Sequence, residues 1–327
     1  MIAILKREWK SYFQNITGWL FIAAVLALYG LYFLAYNLRA GYPYVSYTLS
    51  AISFIMLIAV PILTMRSMAE ERHSRTDQLV LTAPVSLGKM IFGKFLAMVG
   101  VFTVAVAVIA VTPLVLAAFG TVPMGENYVA VLGFWLYGCT CIAVGMLASA
   151  LTESQVIAAV VAFAFLFLGY MMNSITGLIG DHLITKVLGA YDLYTPLQSF
   201  MSGCLDLTGV VYFVSVTALC LFLTCQCVQK RRWSMTTKKL TTGMFSVAMI
   251  VVGFTVAVAV NMVVKEMPSS WTAVDATSTK LYSLTDTTKD YVKNLSQDVT
   301  IYVLSSEKSA DSTLAETLQR YEDLSKH

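Results

Sequence analysis

The sequence predicts an all-α polytopic membrane protein of about seven transmembrane helices, with the start of an α/β segment after the last one. Three observations carry this. The 327 residues are 57% hydrophobic and only 13% charged, with a mean hydropathy of +0.72, outside the range of soluble globular chains. Long stretches lack charge altogether, such as Leu49–Met65 and Phe95–Gly125. A bilayer core takes roughly 20 apolar residues per helix, so each of these can cross it. Basic residues, finally, gather in alternate connections.

The elements follow in chain order. Residues 1–16 read as an amphipathic interfacial helix. Leu5, Trp9, Tyr12, Phe13 and Ile16 recur at helical spacing, while Lys6, Arg7, Lys10, Gln14 and Asn15 fill the other face. Such a helix lies at a membrane surface with Trp9 at headgroup depth. Candidate spans then run over Thr17–Tyr36, Leu49–Met65, Phe95–Phe119, Val129–Leu151, Val156–Ile179, Gly209–Val228 and Gly243–Val264. The first is too long for a cleaved signal peptide and no small-residue cleavage pattern follows it.

Between the second and third spans lies a charged island, Glu70-Glu71-Arg72-His73-Ser74-Arg75-Thr76-Asp77-Gln78. Its charges are expected to face water and meet a partner there. Asp77–Leu81 is helix-forming and turns apolar before Ala83-Pro84 ends the run.

Orientation follows from Lys and Arg. Lys6, Arg7, Lys10, Arg66, Arg72, Arg75, Lys89, Lys94, Lys230, Arg231, Arg232, Lys238 and Lys239 fall on one side, against Arg39 and Lys186 on the other before the last span. The positive-inside rule places the N-terminus and the island in the cytoplasm and everything after Val264 outside it. In the tail, Val299, Ile301 and Val303 alternate as a strand, Ser283 and Asp286 mark a helix start, and Leu314, Leu318, Tyr321 and Leu324 line a second helix.

Several sharper chemistries are set aside. Gly88-Lys89-Met90-Ile91-Phe92-Gly93-Lys94 has the spacing of a phosphate-binding loop. Phe95 stands where a magnesium-binding hydroxyl belongs, and no parallel strand precedes it. Lys89 and Lys94 mark the membrane boundary on this reading. His73, His182 and His327 have no metal-ligand spacing. Of the 6 Cys only Cys204 lies in an outer connection, so no disulfide framework is expected. Gly138, Gly145 and Ala148 suggest close helix packing in the fourth span. No Asp, Glu, Lys or Arg lies within the span limits, which argues against an ion-coupled carrier.

Glu70-Glu71-Arg72, Thr76-Asp77-Gln78-Leu79-Val80-Leu81-Thr82-Ala83-Pro84-Val85-Ser86 and Gly93-Lys94-Phe95-Leu96-Ala97 together resemble the type-2 ABC exporter permeases, especially the gliding-motility branch. Pro196, Phe200, Gly203, Asp206-Leu207, Val211-Tyr212-Phe213 and Arg231-Arg232-Trp233 continue the likeness in family order. Arg75 departs from it, standing where the family often has Gly. Asn261, Asp275-Ala276-Thr277, Lys280-Leu281-Tyr282-Ser283-Leu284, Thr288, Leu295 and Asp298-Val299-Thr300-Ile301-Tyr302-Val303 resemble the opening of the auxiliary extracytoplasmic protein that accompanies such permeases.

The resemblance implies a six-helix permease over residues 17–233, a basic linker and seventh helix over 234–264, and an incomplete extracytoplasmic α/β domain over 265–327. It implies that Glu70, Glu71, Arg72, Thr76, Asp77 and Gln78 contact cytoplasmic ABC ATPase subunits. No cofactor is expected on this chain; ATP and Mg belong to the partner ATPase, so the chain is not itself an enzyme. A second permease copy or homologue and the bilayer are the other expected partners, with no nucleic acid. A non-transporting scaffold of an envelope or gliding apparatus is the alternative, and a channel or secondary carrier a weaker one.

Overall fold

A computed structural model describes residues 2–75, 86–179, 189–233, 239–267 and 272–276, with isolated positions between 288 and 321. In chain order come α1 (Ile2–Gln14), α2 (Ile16–Phe33, running on through a π-helical turn Leu34–Arg39), α3 (Ser46–Thr64) and α4 (Arg66–His73). Then follow α5 (Leu87–Ile109), α6 (Thr112–Ala117), α7 (Met124–Leu151), α8 (Gln155–Ile179) and α9 (Tyr194–Met201). Strand β1 (Cys204–Asp206), α10 (Leu207–Trp233), α11 (Lys239–Lys265) and β2 (Ala273–Asp275) complete the order. Among the described residues seven helical stretches are long and apolar enough to cross a membrane, one for each span read from the sequence. The protein is an all-α, multi-pass membrane protein.

The bundle is built around α7, the most buried of the spans. Small residues let its neighbours come close. A Cβ on Gly138 would run into the ring of Phe102 on α5, one on Gly133 into Phe200 of α9, and one on Gly145 into Thr64 of α3. Without a hydrophobic drive between helices in lipid, such contact and the hydrogen bonds between spans hold the bundle together. Tyr137 of α7 donates to the Ser53 carbonyl of α3 at 3.3 Å, and Thr140 bonds Thr217 of α10 at 3.1 Å. The seventh span lies at the periphery and packs on α10, where Asn261 donates to Ser215 Oγ at 2.6 Å.

Contacts between connections sort them into two ends. At one end Asn127, in the first turn of α7, accepts from the Val45 amide at 2.7 Å and donates to the Pro43 carbonyl. At the same end β1 and β2 pair antiparallel, Cys204 opposite Asp275, which ties the start of the tail to the connection before α10. The opposite end gathers α1, α4, the start of α5 and the end of α7.

One expectation is corrected here. Ile16 belongs to α2, because Asn15 takes extended backbone between the two helices (φ −91°, ψ 155°) and ends α1 at Gln14. Residues 299–303, where a strand is expected, are exposed and have no strand pairing among the described residues. Strand β2 lies just after the last span, where β1 offers a partner edge. Leu314, Leu318 and Tyr321 are helical, as their spacing predicts. Ser283, Asp286 and Leu324 lie outside the described residues.

Candidate functional site

The charged island is not a loop at its start. The second span continues past its apolar stretch as α4, so Glu70, Glu71 and Arg72 are helical. Each turn of that helix presents a different face, and each charge finds a different neighbour. Arg66 clasps Glu70 through Nε and Nη2, both at 2.8 Å, and its Nη1 reaches Thr17 of α2 at 3.3 Å. Glu71 meets Lys94 of α5 at 2.6 Å. Arg72 donates to the Leu151 carbonyl at the end of α7 (3.2 Å) and pairs with Glu153 beyond it (3.1 Å).

Lys94 is the centre of this arrangement. Its side chain is 3% exposed, and its ammonium donates to the Ser67 carbonyl at 2.9 Å beside the Glu71 contact. Glu8 of α1 lies 3.7 Å away and is held in turn by Arg7 at 2.6 Å. Arg7 also approaches Glu71, at 3.5 Å. A buried ammonium is tolerated only when paired and hydrogen-bonded, and this one is both. The node joins α1, α4 and α5. It borders a polar cleft of about 570 Å³ lined among others by Arg7, Tyr12, Asn15, Arg66, Glu70 and Ser74. Burial pushes the Tyr12 phenol well above its ordinary range.

The expectation that the island charges face water is therefore corrected for Glu71 and Arg72, while Glu70 stays partly exposed and Arg75 exposed. Glu71 and Arg72 are turned inward on Lys94 and on the end of α7, because the two turns of α4 carry them over those groups. Lys94 is likewise no surface marker, whereas Lys89 is exposed. The stretch Gly88–Lys94, set aside as a phosphate loop, is helical. Thr76, Asp77 and Gln78 lie outside the described residues, as does the short helix expected over Asp77–Leu81.

The interfacial helix forms as predicted, but its apolar face covers protein. The Trp9 ring lies on Gly100 of α5, where a Cβ would collide with it, and Phe13 sits between Trp9 and Trp19, tilted to the first and edge-on to the second, with ring centroids 5.0 and 5.3 Å away. Leu5 is half-buried while Lys6 and Lys10 are exposed. Glu8 was legible as the one acid among Lys6, Arg7 and Lys10; Ser149, whose hydroxyl reaches α4, carried no such signal.

Arg75 closes α4. Its φ of 56° puts it in the left-handed region, and its amide bonds back to the Arg72 carbonyl at 3.2 Å. A residue just past a helix end commonly adopts this conformation, usually as Gly. Arg75 thus keeps the backbone a glycine would take where the sequence departs from the family.

A six-span bundle whose polar end is organised by the residues after its second helix is the setting in which the comparison with known families falls. The family described as ABC-2 family transporter protein matches residues 37–228. That is more than half of the chain. The chain belongs to this family. It is the membrane component, an ABC-2 type permease, of an ABC transporter, and as such associates with ABC ATPase subunits and the bilayer. The match to the ABC-2 family stops short of the peripheral seventh span. No curated protein and no solved structure matches the chain.

Proposed function

We propose that this permease is an exporter subunit of the gliding-motility type, coupling ATP hydrolysis by a separate cytoplasmic ATPase to movement of a substrate across the plasma or inner membrane. One observation carries the proposal. The second span does not end at its apolar limit but runs on as α4, which leads at Arg75 into Thr76-Asp77-Gln78 and is pinned by ion pairs to α1, α5 and the end of α7. A push on residues 76–78 has a rigid path to spans two, three and four. Two such halves face each other, each gripped by an ATPase that carries the ATP and Mg. Closure of the ATPases shifts the helices between inward- and outward-closed arrangements.

Residues 17–233 form the permease unit in this reading. Residues 234–264 add the linker and seventh helix, and 265–327 open the extracytoplasmic module related to the auxiliary protein. The bias of basic residues supports an N-terminus in the cytoplasm and a tail outside.

The inward pairing of Glu71 and Arg72 decides which residues to test. Replacing Glu70, Thr76, Asp77 and Gln78 together by Ala, with Glu71 and Arg72 kept, leaves insertion normal. It weakens ATPase co-purification from membranes by the equivalent of about 2–5 kcal/mol, the cost of truncating charged groups at an interface. Full retention of the ATPase with undiminished turnover would move the docking site elsewhere, to the exposed Lys6 and Lys10 of α1 first.

A further inference from the structure

The junction of α3 and α4 contains a side chain from another span. In an unbroken α-helix the Met68 and Ala69 amides serve the carbonyls four residues back, Thr64 and Met65. Here both donate to Ser149 Oγ of α7, at 3.1 and 3.0 Å, and the same hydroxyl donates to the Met65 carbonyl at 3.0 Å. One hydroxyl offers one donor and two acceptor positions, and all three are used. Insertion of a side chain into the helical ladder is a recognised cause of a break, and the helix is interrupted at Met65.

The surroundings fit this one group. Pro61 lies a turn earlier in α3 and supplies no amide to the ladder. The Thr64 hydroxyl bonds back to the Val60 carbonyl at 3.0 Å. Gly145, one turn before Ser149, has no side chain to keep α7 away from Thr64. Ser149 itself is fully buried. Two residues on, the Leu151 carbonyl takes the Arg72 hydrogen bond, so the end of α7 holds α4 at its first turn and at its last.

We propose that Ser149 is a positioning residue for coupling. By completing the backbone hydrogen bonds of the second span at its break, it makes α4 a lever that moves only together with the end of α7 and the 152–154 connection. A displacement begun beyond Arg75 then enters the second and fourth spans at once. The lever's part in transport rests on the proposed function; its attachment to α7 does not.

The attachment is read first, in the full-length permease in lipid with its native cysteines replaced. Spin labels go on His73→Cys at the end of α4 and Tyr128→Cys near the far end of α7, both exposed sites, with about 35 Å of α7 running between Tyr128 and Leu151. The native Ser149 protein gives a narrow distance distribution. Ser149→Ala, which leaves the two amides to bond within their own helix, broadens or shifts it, and Ser149→Thr, which keeps the hydroxyl, restores it. If Ser149→Ala fails to insert, Ser149→Cys takes its place, its sulfur being a weak partner, with broadening again expected. An unchanged distribution in the variant lacking the hydroxyl overturns the proposal, as does equal broadening in Ser149→Thr.

The second readout is turnover of the complex with its ATPase. Ser149→Ala lowers transport-linked ATP turnover about five- to tenfold while the ATPase still co-purifies, the loss of a buried hydrogen-bonding group having that weight. Full turnover in that variant sinks the coupling role. Failure of the unaltered permease to retain an ATPase would instead count against the proposed function and leave the distance measurement standing.

Discussion

The Lys94 ammonium is 3% exposed, with Glu71 at 2.6 Å and Glu8 at 3.7 Å, while Glu71 is 20% exposed, with Lys94 and Arg7 within reach. That inequality in burial sets the order of mutational effects. Glu71→Ala leaves the buried cation with only the more distant Glu8 and costs about 3 kcal/mol. Lys94→Met leaves Glu71 beside Arg7 and partly in water, and costs less. The double variant Glu71→Ala with Lys94→Met recovers most of the loss, since removing both charges leaves no buried ion short of a partner. Unfolding of the purified protein in a denaturing-detergent titration gives the cycle, and additive single losses would show that the two groups do not interact. The island's importance was legible at this scale, because nine polar residues between two spans stand out. The direction its charges face was not. Glu71 and Lys94 are separated by a connection whose path no periodicity specifies, and a helix continuing about two turns past its apolar stretch rotates every charge on it by a fixed amount.

Among elements, all seven spans were readable because an uncharged run of span length admits few other structures. The ends shifted by a few residues where polar positions such as Arg66–His73 joined the helix, since backbone hydrogen bonds do not stop at the apolar limit. The central place of α7 was half legible through Gly138 and Gly145, which show that something packs closely without saying what. The structure supplies the partners. Gly138→Val drives a branched side chain into the Phe102 ring and destabilises the bundle by about 1–3 kcal/mol, the usual cost of overpacking. Pairing it with Phe102→Leu opens room and returns part of that loss. The midpoint of heat-induced aggregation in detergent reads both, and a Gly138→Val protein as stable as the parent would mean that α5 and α7 are not in contact there.

For the whole molecule, an odd number of spans requires the two ends of the chain to lie on opposite sides, and the contacts between connections agree with that count. The N-terminal helix shares its end of the bundle with Arg72, Lys94 and Glu153, while the start of the tail pairs with residues 204–206 at the other end. These contacts relate the connections to one another; which end faces the cytoplasm rests on charge. In the sequence before the last span, Lys and Arg gather in the connections on the N-terminal side, with only Arg39 and Lys186 in the alternate ones, and short basic connections are held back from translocation. Single cysteines at Ser74 and at Tyr302, both exposed positions, in a background freed of native cysteine, report the sidedness. In intact cells a membrane-impermeant thiol reagent labels position 302 and spares position 74, which reacts only after the membrane is opened. Labelling at position 74 in intact cells would invert the protein, place Thr76-Asp77-Gln78 beyond reach of any cytoplasmic ATPase and remove the coupling role. Labelling at neither position until permeabilisation would put both on the inside, and the seventh span would then not cross.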